Sequence, residues 1–228
     1  MQFVIFKHYK MFNDQEVAKI LLEKKAVRID TKKPFVFTSG IHSPIYVDNR
    51  LLISYPKERE KIIKKLTIAI DEFGGENVVL SGTATAAIPW AAFLAQYLKL
   101  PMVYVRPKPK EHGTGKQVEG DIPANSNVLV VEDMISTGGS SLGTIEALKR
   151  ECQANVLGVV AIYSHTLKTA QENFKEAGVE ARYLTDFTTV VEMAVAEKYI
   201  KEDDKETVLR WREEGREWGI NMGFIKRM

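Results

Sequence analysis

The chain has 228 residues, 45% of them apolar and 27% charged, and a formal net charge of +2. That is long enough to bury one substantial core, and too evenly charged to be disordered or to hold nucleic acid through its overall charge. No apolar run approaches the ~18 residues of a membrane span, and the opening "MQFVIFKHYKMF" lacks the cleavage site of a secretory signal, so the expected compartment is the cytoplasm.

Asp14 stands as an N-cap before Val17, Ala18, Leu21 and Leu22, which recur at helical spacing. Short extended pieces follow around 35–37 and 45–47, within a stretch punctuated by Pro and Gly. Pro56 opens a helix to about Glu72, closed by Gly74 and Gly75. Strands are then expected at 77–80, 102–105, 128–131, 155–164 and 181–184, with helices at 84–99, 141–151, 167–177, 187–197 and 203–215. Continuous β-branched runs alternating with helices predict an α/β fold: a parallel five-stranded sheet flanked by helices. The single cysteine, Cys152, excludes an internal disulfide, and its spacing from Ile145 and Leu148 places it on a buried helix face. The connection from Arg106 to Asp121 is long and without a pattern, which marks a functional loop.

The segment "VLVVEDMISTGGSS" (128–141) carries the chemistry. In open α/β sheets ligands bind at the carboxyl ends of the strands, and this strand ends on Glu132 and Asp133. Hydroxyl and glycine residues from Ser136 to Ser141 then lead into a helix. Free N–H groups at a helix N-terminus hold an oxyanion, and glycines let the backbone close on it. The acids would repel that anion, so they must accept from neutral hydroxyls or hold a metal. A ribose 5-phosphate satisfies both halves. The lysine of a P-loop is missing, and the glycine spacing is not that of a dinucleotide fingerprint.

The same segment resembles the phosphoribosyl-diphosphate (PRPP) motif of type I phosphoribosyltransferases. Together with "FTSGIHSPIYVDNRLLISYP" (37–56), "SGTATAAIP" (81–89) and "YVRPKPKEHGTGKQVEG" (104–120), it resembles the orotate phosphoribosyltransferase family from about residue 14 to about 215. The resemblance implies one phosphoribosyltransferase domain over 1–228, with a hood from about 14–50 over the base and a flexible catalytic loop at 106–120. It implies transfer of phosphoribose from PRPP to orotate, giving orotidine 5′-monophosphate and pyrophosphate, with Mg²⁺ held mainly through PRPP rather than by side chains. It also implies a homodimer whose loop closes over the partner's site.

Residue by residue, the resemblance implies that Lys110, His112 and Asp133 are catalytic. Arg106, Lys110 and His112 meet the diphosphate, and Glu132 and Asp133 the ribose hydroxyls. Met134 and Ile135 continue the PRPP motif, while Ser136, Thr137, Gly138, Gly139 and Ser140 hold the 5′-phosphate. Ser136 also lies near orotate, and Gly82, Thr83, Ala84 and Thr85 form a pyrophosphate loop. Lys108 alternates with Lys110 and faces solvent. Thr38, Ala86 and His165 stand where many members carry basic residues, which implies a different set of base contacts and leaves the partner of the orotate carboxylate open. His42 reads as a surface or interface residue, and Trp211 and Trp218 as packing or subunit-contact residues. Two rivals are a transferase for another base and a PRPP-sensing regulator; a retained basic loop argues against the regulator.

Overall fold

The protein is described from a computed structural model covering residues 9–37, 39–75, 77–109 and 115–225. A short strand β1 (Tyr9–Met11) precedes helix α1 (Gln15–Glu23). Asp14 caps that helix, its carboxylate accepting from the Val17 N–H at 3.0 Å and from Lys65 at 2.6 Å. Four short strands follow: β2 (Val27–Ile29), β3 (Phe35–Val36), β4 (His42–Ser43) and β5 (Ile45–Val47). They form two small antiparallel pairs, β2 with β5 and β3 with β4, over the segment expected to be a hood. A 3₁₀ turn at Asn49–Ser54 leads into α2 (Pro56–Asp71), which starts on proline because the missing N–H has no intrahelical partner there.

The main body continues with β6 (Val79–Thr83), α3 (Ile88–Leu98), β7 (Met102–Val105), β8 (Val118–Glu119), β9 (Asn127–Ile135), α4 (Gly139–Cys152) and β10 (Asn155–Ser164). Helix α5 (Lys168–Glu176), β11 (Ala181–Asp186) and helices α6 (Phe187–Ala196), α7 (Glu202–Glu214) and α8 (Arg216–Asn221) complete it. Seven strands form one sheet in the order β1-β11-β10-β9-β6-β7-β8. The five expected strands are its parallel centre. Short β1 adds to one edge in parallel and two-residue β8 to the other in antiparallel fashion, so the sheet is wider than the sequence predicts.

Both faces of the sheet are covered, which is why its strands read as unbroken apolar runs. In β9, Leu129 and Val131 enter the core under α1, α2, α3 and α6, while Val128 and Val130 enter the core under α4 and α5. Other expectations shift. Helix α3 begins at Ile88 rather than at 84, because residues 84–87 form a turn that includes a cis Ala84–Thr85 peptide. Strand β9 runs through Glu132 and Asp133 to Ile135 instead of ending before them. The described ends of the Arg106–Asp121 connection pair as the stem of a hairpin instead of being patternless, since the Arg106 N–H donates to the Gln117 carbonyl at 3.0 Å and β8 pairs with β7. Cys152, at the end of α4, is half-buried and packs against the core on the expected helix face. Burial still raises its thiol pKa.

One close approach fixes the packing of α2 on the sheet. Strand β10 carries an irregularity between Val156 and Gly158, and a Cβ on Gly158 would lie 2.5 Å from the Phe73 ring and 2.8 Å from the Glu180 carbonyl oxygen. The ring cannot retreat easily, because the Arg182 guanidinium lies 3.8 Å from its centroid and is tied to Glu180 and Glu72. Gly158→Ala is therefore expected to lower the unfolding free energy by about 1–3 kcal/mol in urea titrations. Gly143→Ala, in α4 with open space around it, should raise it by up to ~1 kcal/mol.

Candidate active site

Successive side chains of a strand point to opposite faces, and the two acids of β9 accordingly serve different surroundings. Glu132 turns toward α4, where it accepts from the Ser140 hydroxyl at 3.0 Å and the Ser141 hydroxyl at 2.9 Å. Asp133 stands toward the 3₁₀ turn after the hood. The fully buried Asn49 donates from Nδ2 to the Asp133 carbonyl at 2.6 Å, and the Asp48–Arg50 ion pair, 2.6 Å long, acts electrostatically on the Asp133 carboxylate. Burial pushes Glu132 up to about 7, helped by the charge of Asp133 and opposed by hydrogen bonds from Ser141, Ser140 and Thr83. Burial likewise pushes Asp133 up to about 6, against hydrogen bonds from backbone N–H groups and the charge of Arg50. These partners offset only part of the burial, so both carboxyls stay above their ordinary range.

Beyond them the chain turns into α4. Gly138 has φ +80° and precedes the helix, and a Cβ there would lie 2.8 Å from the Phe174 ring. The Asn173 amide holds the Thr137 carbonyl at 2.9 Å. The first turn of α4 carries no acid, and no side chain caps its N–H groups. These groups and the helix dipole favour an anion. Thr83, Ala84, Thr85, Glu132, Asp133, Met134, Ser136, Thr137, Gly138, Gly139 and Ser140 line one cleft of about 360 Å³, together with Ala86. A smaller cleft of about 160 Å³ continues it past Thr83, Ala84, Gly139 and Ser140 to Arg106 and Gln117.

Most of the expected residues thus meet in one place, with exceptions. Ile135 is buried in the core and its carbonyl is taken by the His165 N–H at 2.9 Å, so its side chain does not reach the cleft. Gly82 is packing: a Cβ would lie 3.1 Å from the Ala87 carbonyl, from Ala91 and from Ile88, where α3 crosses β6. Lys108 is exposed as expected, while Lys110, His112 and Thr38 lie outside the described residues. His165 is buried among Tyr163, Phe187 and Trp211, shares a 3.0 Å hydrogen bond with the Tyr163 hydroxyl, and has its pKa lowered to about 4 by burial. It is a neutral packing residue, and it lines neither cleft. His42 is half-buried against Phe224, and Trp211 donates to its carbonyl at 3.2 Å. Trp211 and Trp218 are both buried packing residues.

Sequence reasoning missed Asn49, Arg50 and Thr144, whose hydroxyl lies 3.0 Å from that of Thr83. "DNR" after a hood strand was the available signal for the first two, since a buried amide needs a partner.

A mostly parallel sheet whose central strand carries an acid pair near its carboxyl end, beside a glycine-rich turn open to an anion, defines an α/β protein with its cleft at the strands' carboxyl edge. Residues 54–209 match the Phosphoribosyl transferase domain family. An orotate phosphoribosyltransferase of Listeria monocytogenes is 46% identical over 206 residues, covering 90% of this chain and 98% of that protein. One from Coxiella burnetii is 46% identical over 203 residues, covering 89% and 97%. The crystal structure of orotate phosphoribosyltransferase from Aeropyrum pernix is similar with a TM-score of 0.70 at 31% identity, over 81% of this chain and 99% of that one. The chain belongs to the phosphoribosyl transferase family and, within it, to the orotate phosphoribosyltransferases.

Buried Glu132 and half-buried Asp133 make stability depend on pH. Glu132 binds its proton more tightly folded, with a pKa of about 7, than its ordinary 4.5, so the folded state holds the extra proton between these values. Stability is therefore greatest below that window, falls as pH rises through it, and levels off above about 7. In metal-free, unliganded protein, Glu132→Gln should raise the unfolding free energy at pH 8 by on the order of 2–3 kcal/mol and flatten the dependence. Denaturant titrations across pH check this; a variant less stable than wild type at pH 8 would overturn it. Asp133→Asn should act the same way more weakly, rather than leave the unliganded stability unmoved as a solvent-facing acid would.

Proposed function

We propose that the protein transfers the 5-phosphoribosyl group of PRPP to orotate, giving orotidine 5′-monophosphate and pyrophosphate in pyrimidine biosynthesis. The observation that carries this is the single cleft joining the acid pair to the helix-terminal anion turn, together with relatives of the same name over nearly their whole length. In this reading the turn from Ser136 to Ser140 holds the 5′-phosphate, and Ser136 also lies against the base. Glu132 and Asp133 accept from the ribose hydroxyls. The turn at 83–85 and Arg106, with Lys110 and His112, takes the diphosphate, and the hood of about 14–50 covers the base.

The reaction breaks the bond from the anomeric carbon to the diphosphate oxygen and forms one to the orotate ring nitrogen. Orotate supplies the nucleophile, so no side chain has to. The protein's part is to hold the two reactants in line, to stabilise charge gathering on the leaving diphosphate, and to keep water out. Ionised Asp133 next to the anomeric carbon favours the positive charge developing there, and Lys110 and His112 favour the negative charge leaving.

Mg²⁺ fits this site in one manner. No cluster of three or more His, Cys, Asp or Glu among the described residues could cage a metal, but Mg²⁺ is commonly held by one or two carboxylates plus substrate oxygens. Glu132 and Asp133, whose raised pKa values favour a nearby cation, supply that half. When bound, the ion offsets phosphate charge.

Among the described residues no helix is long and apolar enough to cross a membrane. The proposal is a cytoplasmic homodimer in which the loop carries Lys110 and His112 to the partner's cleft, while Arg106 at the loop's base faces the cleft of its own subunit. A panel of bases with PRPP and Mg²⁺ should show orotate consumed by ultraviolet absorbance, and adenine, guanine, hypoxanthine and uracil untouched; turnover of a purine would sink the orotate reading, and no turnover at all would favour a PRPP-binding regulator. Subunit mixing tests the shared site. Lys110→Ala and Asp133→Asn should each be nearly inactive, yet after complete exchange about a quarter of all sites should recover, since mixed dimers carry one site with both defects and one with neither. No recovery would place the loop over its own subunit.

A further inference from the structure

The hairpin that carries Arg106 is fastened to α4 at the far end from the anion turn. Gln117 satisfies Arg106 on both sides: its carbonyl accepts the Arg106 N–H at 3.0 Å and its Nε2 donates to the Arg106 carbonyl at 3.1 Å. Gln117 is in turn held by Glu151, in the last turn of α4. The Glu151 carboxylate accepts the Gln117 N–H, at 3.2 and 3.0 Å to its two oxygens, and the Val118 N–H at 3.1 Å. Arg150 bridges the two side chains, donating to Gln117 Oε1 at 2.6 Å and Glu151 Oε1 at 2.9 Å. β8 is an edge strand, so its outward N–H groups would otherwise go to water. Here they converge on one largely buried carboxylate, whose side chain is 13% exposed.

We propose that Glu151 is a positioning residue for the diphosphate end of the site, setting Arg106 against the anion turn through Gln117. The inference rests on the reading that Arg106 meets the diphosphate. One helix then fixes both ends of PRPP: its first turn grips the 5′-phosphate, and its last turn holds the stem from which Arg106 reaches the smaller cleft that both regions share. Neither Glu151 nor Gln117 needs to touch substrate for a shift of the stem to be felt, because displacements of about 1 Å cost on the order of a hundredfold in a positioned reaction.

The test runs the reaction backwards, from orotidine 5′-monophosphate and pyrophosphate. Glu151→Ala should raise KM for pyrophosphate tenfold or more and lower kcat, while KM for orotidine 5′-monophosphate stays within about twofold. Glu151→Gln keeps an oxygen acceptor for the two N–H groups and should lose less; it also serves if the alanine variant fails to fold. Hydrogen exchange in unliganded protein should show the Gln117 and Val118 amides protected in wild type and exposed in Glu151→Ala. Unchanged exchange, an unchanged pyrophosphate KM, or equal rises in both KM values would each overturn the proposal, the last because it signals a loosened fold. A wild-type protein inactive with these substrates would count against the orotate reading instead, and the exchange result would still judge the clamp.

Discussion

The carboxylate of Glu132 is buried to 3% exposure at the end of the central strand, and the rest of the site is arranged around that fact. Burying an uncompensated carboxylate costs several kcal/mol, whereas a hydrogen bond to a charged group returns about 1.5–3 kcal/mol. The hydroxyls of Ser140 and Ser141 offset part of the cost and in doing so bind the first turn of α4 to β9. Thr144, one turn further along, reaches Thr83 and adds β6 to the same knot. The compensation is incomplete, as the raised pKa of Glu132 shows. Further hydroxyl donors or a cation in the cleft would offset the rest.

Because a strand alternates its side chains, the pair Glu132–Asp133 divides the cleft into two compartments. Glu132 belongs with α4 and the anion turn, Asp133 with the hood-side turn bearing Asp48, Asn49 and Arg50. A ligand touching both acids must span from α4 to the 3₁₀ turn at 49–54, across the sheet edge. Gly138 sharpens the arrangement, since Phe174 of α5 fills the space a side chain would need and holds the turn against α4.

Much of this was legible in the sequence, for a physical reason. Strands buried on both faces and helices closed by proline or glycine carry their pattern locally, and the five central strands and most helices follow it. What escaped was set by partners distant in the chain. Strands β1 and β8 exist only because a neighbour's edge was free to receive them, and two or three residues hold no period. Residues 84–87 have helical propensity, yet the turn at the strand end overrides it. Nothing near the acids in sequence says that Glu132 is buried, or that Asn49, 84 residues away, covers the Asp133 carbonyl. Nothing local marks Glu151 either, since its hold on Gln117 spans 34 residues. Chemistry-bearing types were visible; the residues that aim them were not.

The hood's attachment carries a consequence for assembly. Its hairpin rests on Trp211, which donates to the His42 carbonyl and meets the Phe37 ring edge-on, a contact across 169 residues of chain. Closing so long a loop gains nothing until the intervening sheet exists to hold its ends near one another. The β3–β4 pair is thus the last piece to find its place: the cleft between β9 and α4 forms with the sheet itself, while residues 35–43 gain their support only after α7 has docked.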